Sequence, residues 1–152
     1  MLASQLHSFV LHFAVGLLLT SSLCDVVGLL LRREQLLLGG KWMTILGAAA
    51  ALGSVATGLS AQASLGPHSP AGEALLHLHR ALGFIVAAVW APLAVWRSLA
   101  KPALPLKLRT FYLAGAFAGA ALVLLETGLG TTLVYQHGLG LSASARSEPI
   151  PR

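Results

Sequence analysis

Four apolar runs, each long enough to cross a bilayer, take up most of this 152-residue chain. A membrane-spanning helix needs about 20 consecutive apolar residues. The runs extend roughly over Phe9–Leu31, Trp42–Ala61, Leu78–Trp96 and Phe111–Tyr135. With 56% of residues hydrophobic and only 10% charged, no length is left for a separate soluble domain. The expected architecture is all-α: a transmembrane four-helix up-down-up-down bundle over residues 1–138, followed by a mobile tail over 139–152. The first run reads as a retained span, because no Lys or Arg precedes it and Arg32-Arg33 follows it.

Four spans put both termini on one side of the membrane, together with the loop from about Gln62 to His77. The opposite side holds the short loops around Arg32–Lys41 and Arg97–Arg109. That opposite side carries Arg32, Arg33, Lys41, Arg97, Lys101, Lys107 and Arg109, against Arg80, Arg146 and Arg152 on the terminal side. The positive-inside rule makes the basic side cytoplasmic, so both termini are expected in the periplasm of a bacterial inner membrane. The net charge of +5 follows this topology and does not point to nucleic acid. All six histidines fall on or near the outer side: His7, His12, His68, His77, His79 and His137.

A six-residue pattern occurs twice. Leu11-His12-Phe13-Ala14-Val15-Gly16 recurs as Leu78-His79-Arg80-Ala81-Leu82-Gly83, and Thr57-Gly58-Leu59 recurs as Thr127-Gly128-Leu129. The offsets are 67 and 70 residues, which implies an internal two-helix pseudo-repeat about an axis along the membrane normal. Each histidine opens an apolar helix with a glycine one turn further in. That combination suits a porphyrin, whose iron an imidazole coordinates while the bare glycine admits the flat ring. His12 and His79 are therefore the expected axial ligands, on the diagonal first and third helices, with His137 as reserve. Gly16, Gly83, Gly58 and Gly128 are expected to border the cofactor. Close helix packing is the competing role for membrane glycines.

Three charges need an account. Arg80, beside His79, suits a haem propionate through the forked pairing of guanidinium and carboxylate, or else snorkels to the interface. Glu126 and Asp25 lie within spans, where acids are costly. Asp25 either hydrogen-bonds Ser or Thr or reaches the interface, Glu126 is either protonated and structural or relays a proton or hydrogen-bonds a quinol, and both are candidates for a proton or quinone site. Cys24 is the single cysteine, so c-type haem attachment through Cys-x-x-Cys-His is excluded.

Val10-Leu11-His12-Phe13 opening the first helix, Asp25 later in it, Thr57-Gly58 ending the second and His79 opening the third form an ordered set. The fourth helix closes on Leu133-Val134-Tyr135-Gln136-His137-Gly138-Leu139-Gly140. Together these resemble the bacterial family catalogued as domain of unknown function 2231, whose ending reads Leu-Val-Tyr-x-His-Gly-Val-Gly. The chain departs from it at His7-Ser8, where the family has His-Pro, and at Ala61, where it has an acid; the family role of His7 is not carried over. The resemblance implies a four-span membrane protein associated with electron-transfer systems.

The leading expectation is a b-type cytochrome, free or within a larger respiratory or photosynthetic complex. One bis-histidine haem b near the outer face would pass electrons between membrane quinol and a periplasmic carrier such as a c-type cytochrome. The alternatives are a copper- or zinc-handling protein built on the outward histidines, and a cofactor-free structural subunit. No Gly-x-Ser-x-Gly, phosphate loop or His-Glu-x-x-His is present, so a stand-alone enzyme is not expected.

Overall fold

Each apolar run becomes one long helix. The computed structural model describes residues 2–66, 69–99 and 108–140. Within them α1 covers Leu2–Leu30, α2 Glu34–Ala63, α3 Pro70–Leu99 and α4 Arg109–Tyr135. Lengths of 27 to 30 residues give about 40–45 Å of helix, the thickness of a bilayer with its headgroups. The first three helices start seven or eight residues before the apolar runs do. Hydropathy marks the hydrocarbon crossing only, whereas backbone hydrogen bonding continues through the polar interface. The tail from 141 onward, His68, Lys101, Lys107, Arg146 and Arg152 lie outside the described residues.

All four helices are long and apolar enough to cross a membrane, and the protein is a multi-pass membrane protein. Large side chains such as Phe9, Phe13, Trp42, Phe111, Phe117 and Leu125 point outward. Each helix packs on its sequence neighbours, and α1 also meets α4, so α1 and α3 occupy one diagonal of the bundle. The link between α1 and α2 is the tightest. Arg32 adopts a left-handed φ of 53°, and the N–H of Arg33 donates to the Gly28 carbonyl (2.9 Å), closing α1 in a Schellman-type turn.

The internal repeat is real in three dimensions, but its register differs from the expected one. Residues 72 positions apart share burial and contacts. Leu18 of α1 sits over Gly47 of α2, where an added Cβ would come within 2.7 Å. Trp90 of α3 sits over Gly119 of α4 in the same way, at 2.8 Å. Ala14 and Val86, Ala51 and Val123, and Ala61 and Leu133 are likewise matched and buried. The offsets of 67 and 70 came from chance matches in Leu/Ala/Gly-rich sequence. In the 72 register His79 answers to His7, and Arg97 to Asp25.

Candidate functional site

Residues related by a twofold axis touch each other only where they lie on that axis. Among the described residues, two polar pairs 72 positions apart are in contact, one near each end of the bundle. Towards the terminal side, His7 of α1 and His79 of α3 bring their rings to 6.5 Å between centroids, with planes at 83°. Towards the other side, Asp25 and Arg97 form a fully buried ion pair.

The two histidines are mounted alike. His7 Nδ1 lies 3.0 Å from the Ser54 carbonyl oxygen and 3.3 Å from Thr57 Oγ1; His79 Nδ1 lies 3.2 Å from the Glu126 carbonyl oxygen. A carbonyl only accepts, so each Nδ1 donates its N–H and each Nε2 carries the lone pair. The glycine one turn beyond each carbonyl forms the seat of the ring. A Cβ on Gly58 would stand 3.0 Å from His7 Cε1, and one on Gly130 3.2 Å from His79 Cε1. A carbonyl and a bare Cα four residues later share a helix face, and this pairing recurs on α2 and α4. Nδ1 anchored to a backbone carbonyl with Nε2 left as donor atom is the usual mounting of a metal-ligating histidine.

The rings border a cavity of about 480 Å³ in the terminal half of the bundle, mostly apolar with a few polar groups. That combination is typical of small-molecule and cofactor sites. Glu126 enters it beside His79, with Oε1 3.5 Å from Nε2. Arg80 lies at its rim, where Nη1 donates to Gln62 Oε1 (3.3 Å) and Nη2 to His77 Nδ1 (2.8 Å). Leu139 and Gly140 form part of the wall. They reach it because Gly138, at φ 62°, ends α4 in the left-handed region and its N–H returns to the Val134 carbonyl (3.0 Å).

Several expected site residues fall elsewhere. His12 is exposed on the outer face of α1, its Nδ1 against the Ser8 carbonyl of its own helix, and it does not line the cavity. The expected meeting of His12 with His79 is thus replaced by His7 with His79. At 100° per residue, positions 7 and 12 point about 140° apart, so both cannot face the axis. Gly16, one turn below His12, is exposed too, and so is Gly128; nothing lies within 4 Å of a Cβ built on either. Gly58, Arg80, Gly83 and Glu126 do border the cavity. His137 follows the end of α4, against Gly72, and does not line the cavity.

Asp25 belongs to the opposite end. Its Oδ1 accepts from Arg97 Nη2 (2.8 Å) and its Oδ2 from Tyr112 OH (2.9 Å), while Arg97 Nη2 also donates to the Leu37 carbonyl (2.6 Å). This network ties all four helices and contains no cavity group. Asp25 is thus a hydrogen-bonded, buried group. Arg97, counted as a loop charge, is instead a buried residue in the last turn of α3.

Gly130 and Arg97 were not named for the site, and His7 was named only among the outward histidines of the copper or zinc reading, although one signal pointed to it. A membrane acid must face inward, and His7 lies 18 residues, or five full turns, before Asp25 on the same face.

With the geometry described, the comparison with known families is direct. The chain matches a family described as "Predicted membrane protein (DUF2231)" over residues 3–143. It belongs to the DUF2231 family. No curated protein and no solved structure matches it. The matched stretch of this DUF2231 chain contains both axial pairs, and its glycine-rich ending now has a physical role: it folds Leu139 back onto the cavity.

Proposed function

We propose that this DUF2231 protein binds one haem b between His7 and His79 and serves as a membrane electron-transfer component. The observation that carries the reading is the separation of the two rings. Two imidazoles bound trans to one metal, each with an N–metal bond of about 2 Å, have centroids about 6 Å apart. A tetrahedral site would draw them to about 5 Å. The 6.5 Å spacing would let His7 and His79 hold one metal between them. Among the described residues, no three His, Cys, Asp or Glu side chains converge on a common point.

The chain supplies the rest. The carbonyls of Ser54 and Glu126 hold the tautomer that offers Nε2 to a metal, and Gly58 and Gly130 fix the depth of each ring. When bound, haem iron supplies a one-electron couple. Held by His7 and His79, it would be suited to electron transfer rather than oxygen chemistry. Arg32, Arg33 and Lys41 lie towards the end opposite the cavity, so the positive-inside rule assigns the cavity and both termini to the periplasmic side of a bacterial inner membrane. Membrane quinol on one hand, and a periplasmic c-type cytochrome or a larger complex on the other, are the partners this placement fits.

The test is a dithionite-reduced minus oxidised spectrum of detergent-purified protein. A sharp b-type α-band is expected in the native chain and in His12→Ala, and its loss in His7→Ala and in His79→Ala. Absence of any band after haem-supplemented expression, or a band that survives both inner substitutions, overturns the reading.

A further inference from the structure

The two halves of the cavity are alike at the histidines and unlike in charge. Where the first half has Ser8 and Ser54, the second has Arg80 and Glu126, 72 positions later, and all four line the cavity. Among the described residues, a ligand with one acidic edge therefore meets a cation of the lining at Arg80 alone. Arg80 is also held there. Gln62, near the end of α2, takes one terminal nitrogen, and His77 takes the other. The lone pair on His77 Nδ1 faces Arg80, because His77 Nε2 points to Glu73 Oε1 at 2.8 Å. A guanidinium has five N–H donors, so these two bonds fix its plane and leave three donors for a ligand.

We propose that Gln62, His77 and Glu73 position Arg80 as a carboxylate clamp at the rim of the cavity, which selects a porphyrin with free acid groups and sets its acidic edge towards Arg80. The proposal rests on the haem reading of the same cavity. Arginine suits the task because its planar fork matches a carboxylate with two parallel bonds. The rest of the lining includes apolar wall such as Ala14, Leu18 and Val86.

The test compares iron protoporphyrin IX with its dimethyl ester, each titrated into the purified full-length protein and followed by absorbance. The native chain is expected to bind the free acid about ten- to a hundredfold more tightly than the ester, the range of a charge-assisted bond. Arg80→Gln is expected to remove that difference, and Gln62→Leu to narrow it. His7→Ala is expected to weaken both forms while preserving their ratio. Equal affinity of the native chain for acid and ester overturns the clamp and leaves the axial histidines standing; no binding of either form overturns both. If Arg80→Gln binds neither form, Arg80→Lys decides, since it keeps the charge without the fork. A narrowed difference then supports the clamp, and an unchanged one overturns it.

Discussion

His7 and His79 differ from the outward-facing His12 in where their Nδ1 atoms donate. Each reaches across to a neighbouring helix, whereas His12 stays on its own. Their seats are correspondingly tight. An added methyl at Gly58 or Gly130 meets the imidazole at 3.0 or 3.2 Å, so Gly58→Ala and Gly130→Ala are expected to displace the ring and weaken haem retention several-fold. Gly16→Ala and Gly128→Ala meet nothing and are expected to leave it unchanged. The haem-to-protein ratio after purification checks all four. At the other end, Asp25→Asn leaves Arg97 buried without its counter-charge, a loss expected to cost about 3–5 kcal/mol. Asp25→Leu with Arg97→Met removes both charges and is expected to recover most of it, as read from thermal unfolding in detergent.

At the scale of helices, hydropathy yields the number, order and crossing direction of the elements, because it measures transfer into hydrocarbon. It is silent on which face of each helix looks inward. A soluble helix announces its inner face through a polar outer one; a membrane helix is apolar all round, and only sparse polar and small residues mark the interior. Asp25, Thr44, Ser54 and Glu126 are those marks, and all are buried. The Leu-His-x-Ala-x-Gly pattern shared by His12 and His79 is a match in letters rather than in faces. The true repeat pairs Leu18 over Gly47 with Trp90 over Gly119, and unlike letters conceal it. Gly119→Ala places a methyl 2.8 Å from the Trp90 ring, and overpacking of this kind costs about 1–3 kcal/mol. Combining it with Trp90→Leu, the arrangement nearer to the first half, is expected to be less damaging than the two single changes added together. A double-mutant cycle on the unfolding midpoint measures that coupling.

For the whole molecule, the twofold relation between halves explains why the chemistry sits where it does. Only on the axis do equivalent residues meet, and the chain has put an imidazole pair towards one end and opposite charges towards the other. The ion pair closes its end of the bundle, while the histidine end opens into the cavity, so on the proposed haem reading electron exchange with a soluble partner would belong to the side that the histidines face. The positive-inside rule proposes that side to be the outer one, and labelling tests the proposal directly. With Cys24 replaced by Ala, a cysteine is introduced either at Gly66, exposed just beyond α2, or at Glu34, exposed at its start. A membrane-impermeant maleimide applied to intact spheroplasts is expected to label the Gly66→Cys chain at once and the Glu34→Cys chain only after lysis. The opposite pattern would turn the cavity to the cytoplasm and remove the periplasmic carrier as its partner, while the axial pair, a property of the bundle alone, would be unaffected.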